Sequence, residues 1–220
     1  MNQDVTGLRS GIILAGGLSS RMGTNKALLQ IEGKPLISHV IGALETIVED
    51  ILLVVSRRQS LNEYEEYFGT SNVKILQDSA ETQSPLIGFL TGFNHVSAEY
   101  VCVLSCDLPF ANPRILERLF RMGVGFDAAI PKSPGGRLEP LYAVYNTAKA
   151  LHATQSSIVA GELSSKAMVK RLRKIRVIST ENLMVDEHPL SFMNVNTPTD
   201  LKTARSEMKK GFHDKEKQTN

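Results

Sequence analysis

Apolar residues along this chain fall into two alternating patterns. Residues 10–14 (SGIIL), 50–56 (DILLVVS), 73–76 and 100–105 (YVCVLS) are short, nearly continuous apolar runs rich in β-branched side chains. Residues 127–130, 141–145 and 175–179 are further runs of that kind. Each reads as a strand. Between them apolar residues recur at helical spacing, as with Leu36, Val40, Ala43, Leu44 and Ile47 in the helix expected over 35–48. The same reasoning predicts helices over 85–96, 112–122, 164–173 and 199–208. Pro35 and Pro85 stand at the first turn of their helices, where a missing N–H costs nothing. Strands that are apolar throughout and separated by helices predict a mostly parallel sheet covered on both faces. The expected fold class is therefore α/β, doubly wound.

Length and charge narrow the picture. The 220 residues suit one domain, expected over 1–208. The end of the chain, 209–220 (KKGFHDKEKQTN), is charged, almost without apolar residues, and expected to be disordered. A formal net charge of +2 gives no global field to recruit nucleic acid. No apolar run reaches the ~18 residues that span a bilayer. The first ten residues lack the pattern of an export signal, so a cytoplasmic setting is expected. Cys102 and Cys106 lie four apart on one strand, roughly 13 Å at ~3.3 Å per residue, too far for a disulfide.

In an open parallel sheet, ligands bind beyond the carboxyl ends of the strands. The first strand is followed by LAGGLSSRMGTNK, Leu14 to Lys26. Ala15, Gly16 and Gly17 let backbone N–H groups approach a phosphate closely. Ser19 and Ser20 add hydroxyls, and Arg21 and Lys26 add positive charge. The spacing matches neither GxxxxGK[ST] nor GxGxxG. The segment reads as an anion site, against a flexible glycine loop with two solvated cations. Asp78 and Asp107 follow two other strands. A carboxylate facing a phosphate loop repels it unless a divalent cation lies between, which makes Asp107 a candidate magnesium ligand or else a turn residue. Asp78 is read as a hydrogen-bond partner for a base, a holder of metal-bound water, or the start of a turn. With its carboxylate unpaired, Asp107→Asn is expected to leave ligand-free stability unchanged or improved. The basic run 170–176 (KRLRKIR) reads as a solvated helix end or as a surface for an anionic cofactor or a partner protein.

LAGGLSSRMGTNK followed by Gly33-Lys34-Pro35-Leu36 resembles the LAGGxSxRMGxDK…GKPL signature of the nucleotidyltransferases with a Rossmann-like, glycosyltransferase-A-like fold. CDLP around Asp107 resembles their metal aspartate. Ser84-Pro85-Leu86-Ile87-Gly88, Arg137-Leu138-Glu139-Pro140-Leu141 and Asn194-Val195-Asn196-Thr197-Pro198 narrow the resemblance to the molybdenum cofactor guanylyltransferases. Asn25 stands where the signature has Asp, and Ser84 where the family often has Gly.

The resemblance implies that Leu14, Ala15, Gly16, Gly17, Ser56 and Asp78 contact a guanine nucleotide. It implies that Arg21 and Lys26 meet the phosphates and that Asp107 holds both nucleotide and Mg2+. Arg137, Glu139, Asn194 and Asn196 fall to the acceptor side. The implied reaction moves GMP from GTP to the terminal phosphate of molybdopterin or its molybdenum form. Transient contact with cofactor-biosynthesis proteins or apo-molybdoenzymes is also implied. The rival readings are a relative using CTP or a sugar phosphate, and an inactive nucleotide-binding regulator.

Overall fold

The computed structural model describes residues 8–16, 25–69, 71–78, 82, 84–184 and 190–218, with side chains as far as 210. Strand β1 (Arg9–Leu14) leads to a single 3₁₀ turn (Lys26–Leu28) and a small hairpin, β2 (Gln30–Ile31) and β3 (Lys34–Pro35). The hairpin turns at Glu32 and Gly33, both at positive φ (48° and 74°), a conformation that favours glycine at the second position. Then come α1 (Leu36–Leu44), β4 (Asp50–Val55), α2 (Leu61–Phe68), β5 (Val73–Gln77), α3 (Pro85–Asn94), β6 (Tyr100–Ser105) and α4 (Pro113–Gly123). The chain continues through β7 (Ala128–Lys132), β8 (Tyr142–Asn146), α5 (Thr147–Val159), α6 (Ser165–Arg171), β9 (Ile175–Ser179), α7 (Thr180–Leu183) and α8 (Pro198–Gln218).

Seven strands form one sheet in the order β5-β4-β1-β6-β8-β7-β9. Every neighbouring pair is parallel except those of β8, which is antiparallel to both β6 and β7. The strand interiors read as unbroken apolar runs because both faces are covered. Ile13, Leu53 and Leu104 pack with α1, α2 and α4 on one face, while Ile12, Leu52 and Val103 pack with α3, α5 and α6 on the other. Helix α3 lies close against β1. A Cβ at Gly92 would stand 2.8 Å from Ile12 Cδ1, so any larger residue there forces the helix off the sheet. Cys102 and Cys106 are buried free thiols on one face, as their spacing predicts. Burial pushes the Cys106 thiol up to about 12.

A third, smaller cluster joins the two ends of the chain. Ile31 and Leu36 from the hairpin region pack with Val195, Leu201 and Ala204. Past residue 208, α8 continues with helical backbone to Gln218. Lys, Glu and Gln form helix readily without a buried face, and the Glu207–Lys210 pair (2.6 Å) supports it.

Candidate nucleotide site

Four segments meet at the carboxyl edge of β1, β4, β5 and β6. The sheet continues just past the strands: Ala15 N–H donates to Val54 O (2.8 Å), Asp78 N–H to Val55 O (2.8 Å) and Cys106 N–H to Leu14 O (3.1 Å). A Cβ at Gly16 would lie 3.4 Å from Asp78 Oδ2 and 3.7 Å from Ser56 N. Gly16, Ser56 and Asp78 therefore form one cradle, in which Gly16 and Asp78 come from two of the strand ends expected to converge and Ser56 from the end of β4. Gly88 closes it from α3, its Cβ position lying 3.7 Å from Asp78 Oδ1. Gly17 and Arg21 lie outside the described residues, as do Ser19 and Ser20.

Lys26 and Asp107 sit together, and this corrects the expectation of an unpaired carboxylate. Lys26 Nζ donates to Asp107 Oδ2 at 2.5 Å and to Asn196 Oδ1 at 2.8 Å. The two charged side chains are only 11% and 10% exposed, so the pair is desolvated. A cation does stand beside the carboxylate, but in this structure it is the ammonium of Lys26. Asn196 reaches it because Val195 N–H donates to Asp107 O (2.9 Å), and Asp200 Oδ2 accepts from the N–H groups of Asn196 and Thr197 at the start of α8. Asn196 is thereby joined to the Lys26–Asp107 pair, whereas the Asn194 side chain donates to Phe192 O (3.4 Å) and, among the described residues, does not reach the pair.

Among the described residues Asp107 Oδ1 and Asp78 Oδ1 are buried with no hydrogen-bond partner. Orphaned buried carboxylate oxygens are costly and point to a missing partner. Among the described residues no group of three or more His, Cys, Asp or Glu is placed to hold a metal alone. One carboxylate with a free oxygen nevertheless suits magnesium, which keeps several waters and shares its shell with substrate phosphates.

Burial raises the Asp78 carboxyl to about 6, against a smaller opposing effect from its hydrogen bond with Thr91. The folded protein therefore holds a proton that the unfolded chain has released. Stability of the ligand-free protein falls as pH rises from about 4 to about 6 and stays reduced above that. Asp78→Asn should remove this decline. The variant should be more stable at pH 7.5 by about 1–2 kcal/mol, after discounting for solvent screening, and about equal near pH 4. Urea unfolding at both pH values measures this; equal stability at pH 7.5 would show that the burial cost is not there.

Two residues not singled out from the sequence support the site. Asn25 Oδ1 accepts from Tyr64 Oη (3.1 Å) and Gln59 Nε2 (3.2 Å), and Gln59 Nε2 also reaches Tyr64 Oη (2.9 Å). Gln59 Oε1 accepts from Ser56 N–H (3.0 Å). The residue before Lys26 is thus tied to the Ser56 turn through Gln59, with the buried Tyr64 hydroxyl bonded to both Asn25 and Gln59. The only signal in the sequence was Asn25 itself, where the signature has Asp.

Arg137 and Glu139 pair with each other (2.9 Å) on the connection between β7 and β8. β8 begins beside the end of β6, with Ser105 N–H donating to Leu141 O (3.0 Å), so that connection stands at the same edge as Asp107. Among the described residues no hydrogen bond or ion pair joins them to Lys26 or Asp107.

The chain as a whole is similar to known proteins. The MobA-like NTP transferase domain matches residues 11–175. A molybdenum cofactor guanylyltransferase of Desulfosudis oleivorans is 31% identical over 206 residues, covering 92% of this chain and 96% of that one. A Methanosarcina mazei protein named probable molybdenum cofactor guanylyltransferase is 33% identical over 198 residues, 88% of each chain. The crystal structure of molybdopterin-guanine dinucleotide biosynthesis protein A from Archaeoglobus fulgidus aligns with a TM-score of 0.76 at 27% identity, covering 91% of this chain and 99% of that one.

Proposed function

This chain belongs to the MobA-like NTP transferase family, and from that premise we propose that it transfers GMP from GTP to the terminal phosphate of molybdopterin, releasing pyrophosphate. The observation that carries this reading is the Lys26–Asp107–Asn196 cluster beside the Gly16–Ser56–Asp78 cradle, at one sheet edge. An oxygen of the acceptor phosphate forms a bond to the α-phosphorus of GTP, and the bond from that phosphorus to the β-phosphate oxygen breaks. The attacking oxygen is already anionic near neutral pH, so no strong base is needed. Catalysis then rests on positioning and charge.

The chain's own groups divide that work. The Ala15–Gly16 backbone lets the nucleotide approach closely, and Asp78 accepts from donors on the nucleoside. Lys26, with Arg21, offsets negative charge on the departing pyrophosphate. Asp107, whose Oδ1 is buried without a partner among the described residues, is assigned to Mg2+, and Asn196 fixes the Lys26 ammonium beside it. Bound there, magnesium supplies positive charge to the phosphate oxygens. Arg137, Glu139 and Asn194 are assigned to the acceptor side. The reading includes a cytoplasmic setting, supported by the buried free thiols.

GTP with magnesium should raise the melting temperature more than CTP, UTP or TTP, because a ligand bound only by the folded state stabilises it. Pyrophosphate release with molybdopterin should follow the same order. Equal shifts and equal turnover with all four nucleotides would overturn the choice of guanine, and no turnover with molybdopterin would overturn the acceptor.

A further inference from the structure

Residues 147–177 hold seven Lys and Arg against one carboxylate, Glu162. That is an excess of six positive charges in a chain whose total is +2, so the other residues sum to −4. The excess is gathered around α6. On one side of that helix a cleft of about 650 Å³ is lined by Lys149, His152, Arg171 and Arg173. On its other side a cleft of about 580 Å³ is lined by Lys166 and Lys170.

The nearby carboxylates are already engaged. Glu162 pairs with Arg171 (2.5 Å), and Asp127 Oδ2 accepts from the backbone N–H groups of Arg173 and Lys174 (2.7 and 3.0 Å). Lys174 and Arg176 lie against the Phe126 ring. Among the described residues no carboxylate pairs with the side chains of Lys149, Lys166, Lys170 or Arg173, and all four are exposed.

We infer that the surface around α6 is the docking site for an acidic segment of a partner protein. The charge excess demands an anionic occupant. Its topography and composition favour polypeptide. Two recesses flank a helical ridge, which suits side chains better than a flat lipid surface. Val159 (89% exposed) and Leu163 (37% exposed) add apolar contact beside the cations. Among the described residues Tyr67, on α2, is the only aromatic of the exposed large hydrophobics, and the half-buried Phe126 ring beside this surface already carries Lys174 and Arg176, which leaves little ring face on which bases could stack.

The strip also runs from one sheet edge to the other. Ser84 Oγ donates to Leu163 O (2.6 Å) where α3 begins, at the edge that carries Asp78, while Asp127 precedes β7 at the opposite edge. None of its cations belongs to the nucleotide site, so occupying the strip leaves Lys26, Asp107 and Asn196 in place.

The test uses the full chain and a fluorescein-labelled peptide of Glu, Asp and Leu. The six-residue strands are roughly 20 Å long at ~3.3 Å per residue, so a peptide of about ten residues spans the sheet from edge to edge with a few residues to spare. Fluorescence anisotropy should show binding that weakens about tenfold between roughly 50 and 200 mM NaCl, as screening requires. Lys149→Glu with Arg173→Glu, and separately Lys166→Glu with Lys170→Glu, should each weaken it about fivefold or more, with pyrophosphate release unchanged. Carbodiimide cross-links should map to Lys149, Lys166 or Lys170. Absence of binding, or binding by both double variants as tight as that of the unchanged chain, overturns the inference. Tighter binding to an oligothymidylate or to phosphatidylserine vesicles than to the peptide also overturns it, by giving the surface to another class of partner.

Discussion

Lys26→Ala should lower turnover on the order of 10²-fold or more, because it removes a cation from the leaving-group side of the reaction. The structure adds a stability effect that the sequence did not suggest. Lys26 Nζ is the partner of Asp107 Oδ2, and among the described residues the other carboxylate oxygen has no partner, so the variant strips a buried carboxylate of the cation that pairs with it. Ligand-free stability should fall by roughly 1–3 kcal/mol. Urea unfolding and pyrophosphate release, measured on the same preparation, separate the two losses. A folded Lys26→Ala protein with normal turnover would return Lys26 to the class of structural ion-pair residues.

Asp107→Asn should give a nearly inactive protein whose magnesium requirement rises. Asn keeps the size and turn-forming capacity of the side chain, and the Val195 N–H to Asp107 O bond is backbone and survives. Only the charge is lost. Raising magnesium should recover part of the rate, since weaker metal binding can be offset by concentration. The observed pair reverses the expected sign of the stability change. Lys26 loses its carboxylate, so ligand-free stability should fall by roughly 1–2 kcal/mol rather than improve. Combining Lys26→Met with Asp107→Leu should restore most of that stability with no activity, because apolar replacement of a buried pair is often neutral. Near-normal turnover of Asp107→Asn at ordinary magnesium would remove the metal role.

What could be read from the sequence follows from how local each signal is. β1, β4 and β6 announced themselves because burial on both faces makes every position apolar. Helix α2 was missed because only Tyr64 and Phe68 are buried in an otherwise polar LNEYEEYF. Helix α5 was missed because its buried face is Ala150, Ala153, Thr154 and Ser157, which carry little apolar signal. The antiparallel direction of β8 was available in the short connection over 133–141, too brief for a helical crossover. Ser56, Asp78 and Asp107 were legible as strand-end residues. The Lys26–Asp107 contact was not, since no periodicity encodes which loop side chains meet across a sheet edge. Gln59 and Tyr64 were missed because their roles run through Asn25 and Ser56.

Lys26 and Asn196 are 170 positions apart in sequence, yet they share one hydrogen bond at the centre of the site. A ribosome delivers the first of them long before the second. With synthesis at about 5–20 residues per second, the nascent sheet waits on the order of ten seconds or more between them. From the completion of β6 until residue 196 follows, the chain has the strand ends that carry Gly16, Ser56, Asp78 and Asp107 but not the residue that steadies Lys26. A nascent chain stalled before residue 190 should therefore resist protease across β1 to β6 and still fail to retain GTP, whereas release of the full chain should restore retention.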